Sequence, residues 1–128
     1  MLREPPKVWR GSGPVEAFHT CLTASKLVET GKTFDVALAH FGTNALRVQR
    51  LRSMRLLSVP LAAVFHGRDL SHTLVRRGRG IYAELLANSD SLLPVSAHFA
   101  KRLNDLGCPP SRVHVQHMGV DINQFDLR

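Results

Sequence analysis

Histidine, glycine, arginine and aspartate fall together at His66-Gly67-Arg68-Asp69, directly after the apolar run Leu61–Phe65. An imidazole and a carboxylate in one short loop can donate, accept and exchange protons near neutral pH. The glycine between them lets a backbone turn sharply or approach a ligand closely. Comparable groups follow three other short segments: His40-Phe41-Gly42 closes the first, Pro94-Val95-Ser96 the third, and His117-Met118-Gly119-Val120-Asp121 the fourth. Four segment ends with this content form a coherent polar rim, a stronger signal than any one of them.

Each member also has a structural reading. His40 serves equally as a satisfied histidine at a strand end, Gly42, Gly67 and Gly119 as turn glycines, and Asp121 as a turn cap. Ser96 is first a helix cap, with a ligand role secondary. The pair His66 and Asp69 resists such a reading best, because it shares one loop with Gly67 and Arg68. Other motifs fail. Gly11-Ser12-Gly13 runs into Pro14 and Glu16, so it is no dinucleotide fingerprint, and no P-loop is present. Ser96 lacks the flanking glycines of a nucleophile elbow. His114 and His117 suggest no third zinc ligand.

The elements that must hold these residues alternate between helix and strand. Gly13-Pro14 opens a first helix carrying Val15, Phe18 and Leu22, and Gly31 stops it. Phe34–Phe41 reads as a buried strand, followed by a helix capped at Thr43 or Asn44 with Ala45, Val48, Leu51 and Met54 on its apolar side. Leu61–Phe65 is the second strand. A polar, arginine-rich stretch follows, then a helix around Ile81, Tyr82, Leu85 and Leu86. Ser91–Val95 makes a third strand, with Pro94 at its end because proline cannot donate to a ladder. A helix with Phe99, Leu103 and Leu106 leads to a fourth strand, Val113–Gln116. Short apolar strands separated by helices imply right-handed βαβ units and a parallel sheet buried on both faces, an α/β arrangement. Ligands of such sheets bind beyond the carboxyl ends of the strands, which is where the rim lies.

The 128 residues suffice for one domain, and 44% hydrophobic with 21% charged residues is ordinary for a soluble one. No apolar run reaches the roughly 20 residues of a spanning helix. The segment Met1–Gly13 carries charges and prolines without an apolar core, so no signal peptide is read and a cytoplasmic location is expected. Cys21 and Cys108 are expected to be reduced core thiols. The chain is basic, net +7, with an isoelectric point near 10.5. Arg47, Arg50, Arg52 and Arg55 cluster, followed by Arg68, Arg76, Arg77 and Arg79, and Asp69 is the only acid between Arg47 and Arg79. This is either a solvated helix face or a patch that meets an anionic membrane or a polyanion. Nucleic acid is disfavoured, because aromatic residues make up 6% of the chain and do not interleave with the arginines.

The succession FDVALAHFG, PLAAVFHGRDLS, LLPVSAHFAKRLNDLGCPPSRV and HMGVDINQF resembles glycosyltransferase family 4, in its exopolysaccharide and colanic-acid branch, from about Phe34 to Phe125. The resemblance implies the N-terminal half of a GT-B fold, two Rossmann-like domains, each a parallel sheet with helices on both faces, facing across a cleft. This half would form the acceptor-side wall for a retaining hexosyltransferase. The implied co-substrates are a nucleotide-sugar donor and a saccharide or lipid-linked acceptor, with no metal and no cofactor. His66 matches the histidine that reaches the donor sugar near the reaction centre, with Asp69 in the same loop as a second catalytic candidate. His40, Gly42, Gly67, Arg68, Ser96 and Asp121 match or adjoin substrate-lining positions. Gly119, Val120, Asp121 and Phe125 match the segment that leads toward the second domain.

The resemblance divides the chain into an irregular segment 1–13, a partial N-terminal domain 14–121, and the start of an interdomain linker 122–128. It also implies a separate donor-binding domain. No strand is read before Phe34, and none of Glu4, Glu16, Glu29 and Glu84 forms the family's pair of glutamates separated by seven residues. The expectation is a truncation, a gene fragment or one partner of a split enzyme, inactive alone, with peripheral contact to the inner membrane. A non-catalytic basic module that binds anionic membrane or nucleic acid is the rival expectation.

Overall fold

The structure, a computed structural model, describes residues 13–124. The segment 1–12 and Phe125 lie outside the described residues. Helix α1 spans Pro14–Thr30, with Pro14 in its first turn and Gly31 closing it in the left-handed conformation at φ 58°. Strand β1 is Ala37–His40, α2 is Gly42–Ser53, and β2 is Leu61–Phe65. A π-helical turn at Asp69–Thr73 runs directly into α3, Leu74–Arg77. A 3-10 turn at Arg79–Tyr82 leads into α4, Ala83–Asn88, followed by β3, Ser91–Pro94, and α5, Ala97–Asp105.

The three strands are parallel and lie in chain order, β1-β2-β3. Their carboxyl ends therefore share one edge, which gathers the rim read from the sequence. Register pairs Ala39 with Ala63 and Ala63 with Leu92, so these residues point to one face. All three are buried in the core with Phe65, Leu70, Tyr82, Leu85 and Leu103. Burying a large apolar side chain such as Leu85 or Leu103 contributes about 1.5–3 kcal/mol. Leu38 projects to the other face of β1 and remains exposed. The α/β class and the parallel sheet flanked by helices are as expected.

Several local expectations change. Val113–Gln116 forms an isolated parallel bridge, Leu92 with Val113, in place of a regular fourth strand. His114 donates its backbone N–H to Leu92 (2.9 Å) and Gln116 donates to Pro94 (2.9 Å). Closing the next rung would need an N–H at position 94, and proline has none. The arginine-rich stretch after β2 is helical, because Leu70 and Leu74 lie one turn apart and both enter the core. Helix α2 begins at Gly42, earlier than a cap at Thr43 or Asn44 would set it.

On α1 the side facing in carries Thr20 and Ala24, while Val15, Phe18 and Leu22 are exposed. Cys21 is exposed and only Cys108 is a core thiol. Burial pushes the Cys108 thiol pKa up, against an opposing pull from Arg112. Among the described residues no helix is long and apolar enough to cross a membrane.

Candidate functional site

The carboxyl end of β2 releases His66 into a loop that Asp69 organises. The Asp69 carboxylate accepts the backbone N–H of His66 through Oδ2 at 2.9 Å and the Tyr82 hydroxyl through Oδ1 at 3.4 Å. The Asp69 N–H in turn donates to the His66 carbonyl at 3.0 Å. Asp69 is only 2% exposed, so the carboxylate lies inside the loop and not at its surface. Burial, reinforced by the Asp69 charge, pushes the Tyr82 phenol well above its ordinary range, so it stays protonated and able to donate.

The carboxyl end of β1 supplies the opposite wall. The His40 ring stacks on His66 with centroids 5.8 Å apart. The Phe41 ring is closer, at 4.5 Å. Phe41 sits at φ 72° and ψ 133°, a conformation that side chains other than glycine rarely adopt. Strain of this kind costs about 1–3 kcal/mol and clusters at functional sites. It holds while Phe41 donates its N–H to Val64 (3.0 Å) and accepts from Asn44 and Ala45 at the start of α2.

Gly42 is required by close approach, since a Cβ there would lie 2.7 Å from both Phe65 Cε1 and Tyr82 Cε1. Between these walls the half-buried His66 presents a buried Nε2 with no hydrogen-bond partner among the described residues. A buried nitrogen without a partner costs about 1–3 kcal/mol.

The structure thus brings His40, Gly42, His66 and Asp69 together. Gly67 is covered by α5, where the Phe99 ring would lie 3.2 Å from a Cβ at that position. Ser96 caps α5 by accepting the Phe99 N–H at 3.4 Å, so its hydroxyl serves the helix. Arg68 is exposed beside the loop. Asp121 stands on the turn Ile122–Gln124, with its carboxylate 3.3 Å from the Gln124 side-chain amide.

Sequence reading missed two members of this site. Tyr82 has the spacing of a core helix residue, and only the fold brings its hydroxyl to Asp69. Phe41 has no sequence signal for its backbone conformation beyond the glycine that follows it. The expected basic patch is partly consumed by the fold. Arg50 is buried, and Arg52 pairs with Asp90 at 2.9 Å and donates to the Asn88 carbonyl.

The profile of Glycosyltransferase Family 4 matches residues 3–124. The chain belongs to glycosyltransferase family 4. The match extends N-terminal to Phe34, where the sequence reading began, and takes in all of α1. The Salmonella typhimurium protein named as the colanic acid biosynthesis glycosyltransferase WcaL is 37% identical over 95 residues, covering 73% of this chain and 23% of that protein. Its Escherichia coli namesake is 35% identical over the same extent. The amylovoran biosynthesis glycosyltransferase AmsK of Erwinia amylovora is 32% identical, again over 95 residues. The aligned stretch of this family 4 chain therefore spans 23% of the length of each relative.

Proposed function

We propose that this chain forms the acceptor-side wall of a transferase cleft in exopolysaccharide biosynthesis. The reaction would move a hexose from a nucleotide sugar to a saccharide or lipid-linked acceptor with retention of anomeric configuration. The relatives' names support the biosynthetic setting. The observation that carries the reading is His66. Its imidazole lies beside the His40 and Phe41 rings at the strand ends, with an Nε2 that has no partner among the described residues. A sugar hydroxyl bonded to Nε2 would offset the cost of leaving that nitrogen unpaired. Because Nε2 is buried, a neighbouring group has to move for this, and the exposed Phe41 beside His66 is suited to do so.

In this reading Asp69 is a positioning residue. It fixes the His66 backbone and faces the protein, so its role is to hold the imidazole toward the sugar. Gly42 and Gly67 allow the close packing that forms the walls. His40, Arg68, Ser96 and Asp121 would line the acceptor path. The donor diphosphate would be bound by a separate donor-binding domain, because preorganised positive charge at the leaving group supplies much of the rate. Action at the cytoplasmic face of the inner membrane follows if the acceptor is lipid-linked.

The test is an assay of the chain with pooled radiolabelled nucleotide sugars and lipid-linked saccharide acceptors. The same assay is run on a chimera in which this chain replaces the aligned stretch of the Salmonella relative. Transfer by the chimera and none by the chain alone supports the reading. Turnover by the isolated chain contradicts the need for a donor-binding partner, and an inert but folded chimera contradicts the assignment of this wall.

A further inference from the structure

A second feature adjoins His66, sharing Phe41, Arg68 and Asp69 with that site and adding Thr43, Asn44, His72, Arg76 and Arg77. Arg68, His72 and Arg76 recur every four positions along the π-helical turn and α3, which places them on one face. All three are exposed. That face, with Arg77, borders a cavity of about 410 Å³ whose other wall is Phe41, Thr43 and Asn44. The volume falls within the range of roughly 300–1,000 Å³ typical of small-molecule sites. Arg68, Arg76 and Arg77 line the cavity, and Asp69 is its one acidic residue. That carboxylate is already committed to the His66 N–H and the Tyr82 hydroxyl.

The opposite wall adds to the positive field. Thr43 and Asn44 stand in the first turn of α2, a twelve-residue helix with no side-chain cap and no acidic residue in that turn. The positive end of a helix dipole favours an anion there, while the Asn44 and Ala45 amides donate to the Phe41 carbonyl. Guanidinium groups match phosphoryl oxygens in pairs. Like-charged side chains brought around one cavity repel one another unless an anion lies between them.

We propose that this cavity binds a phosphoryl group, carried either on a soluble diphosphate or on a lipid headgroup. The site stands whether or not the chain transfers sugar, and its test reads binding alone.

The experiment titrates sodium pyrophosphate into the 15N-labelled full chain and follows backbone amide shifts at low salt. The expected result is saturable shifts centred on Gly42, Thr43, Asn44 and Arg76, weakening as salt is added. Arg68→Gln/Arg76→Gln should weaken binding at least about tenfold, since each charged contact is worth roughly a factor of ten, whereas Lys101→Gln on α5 should not. The amide map of the unsubstituted chain decides the matter if the double variant fails to fold.

A parallel arm sediments the chain with phosphatidylglycerol vesicles, using phosphatidylcholine vesicles as reference. Vesicle binding that pyrophosphate displaces assigns the site to a lipid-borne phosphate. Saturable pyrophosphate shifts without vesicle binding assign it to a soluble one. Absent shifts, shifts spread evenly over all basic residues, or vesicle binding that pyrophosphate leaves untouched would each overturn the proposal.

Discussion

Replacing Asp69 with alanine removes the group that ties the His66 loop to the core, and the size of the loss follows from its contacts. Its carboxylate accepts the His66 N–H at 2.9 Å and the Tyr82 hydroxyl at 3.4 Å. Tyr82 is fully buried and Asp69 nearly so, which keeps water from replacing either bond. A hydrogen bond to a charged acceptor contributes about 1.5–3 kcal/mol, and a buried donor left unpaired costs about 1–3 kcal/mol. The longer phenol bond contributes at the low end of that range, and relief of the buried charge offsets part of the loss. The net expectation for Asp69→Ala is a destabilisation of about 2–4 kcal/mol. Asp69→Asn keeps one acceptor oxygen for two donors, so it should lose about half as much. Urea unfolding followed by circular dichroism reads both. With a urea slope of about 1–3 kcal/mol per molar for a small protein, the alanine variant should unfold at least about 0.7 M earlier. Should alanine abolish folding, the asparagine variant carries the comparison. A midpoint within about 0.3 M of the parent for both variants would refute the claim that Asp69 organises this loop.

Other contacts give sharper local tests. Gly42→Ala would press a methyl group to 2.7 Å from Phe65 and Tyr82, and such overpacking should cost about 1–3 kcal/mol, read as a lower melting temperature. The raised Tyr82 pKa means that the unfolded chain ionises this phenol first as pH rises. Its contribution is therefore full below the ordinary phenol value of about 10 and is lost above it, with a slope approaching about 1.4 kcal/mol per pH unit. Tyr82→Phe should flatten that alkaline loss in urea titrations run at stepped pH. Asp90 accepts both the Leu61 N–H (2.8 Å) and the Arg52 guanidinium (2.9 Å). The ion pair is partly exposed and worth at most about 1 kcal/mol. Asp90→Ala loses both contacts and should destabilise by about 1–3 kcal/mol, and an unchanged melting temperature would contradict this.

Apolar runs carried most of the fold into the sequence. Leu61–Phe65 is legible because a strand buried on its helix-covered face and inside the sheet has no polar residue to interrupt it. Ser96 and the Phe99, Leu103 spacing likewise announce α5. The π-helical turn and α3 were harder to read, because Arg68, His72, Arg76 and Arg77 swamp the two leucines that anchor the segment. The fourth strand was overread because the lost rung depends on Pro94 in a neighbouring strand, a relation between elements and not within one.

The rim was legible as strand-end His, Gly and Asp residues. What each does was less so. Asp69 proves to be buried under Tyr82, and Ser96 is engaged in its cap. Phe41 enters the site through a backbone strain that only the closed sheet and α2 can impose.

The central claim is that His66 meets the reacting sugar. It is tested most directly by His66→Ala and His66→Gln in the chimera with the Salmonella relative, measured as kcat/KM for sugar transfer alongside the urea midpoint. The account predicts that alanine lowers kcat/KM at least about a hundredfold, as loss of one transition-state hydrogen-bond donor does. Glutamine should recover part of the loss, and neither midpoint should fall by more than about 0.5 M. Transfer by the alanine variant within about threefold of the parent would contradict the account.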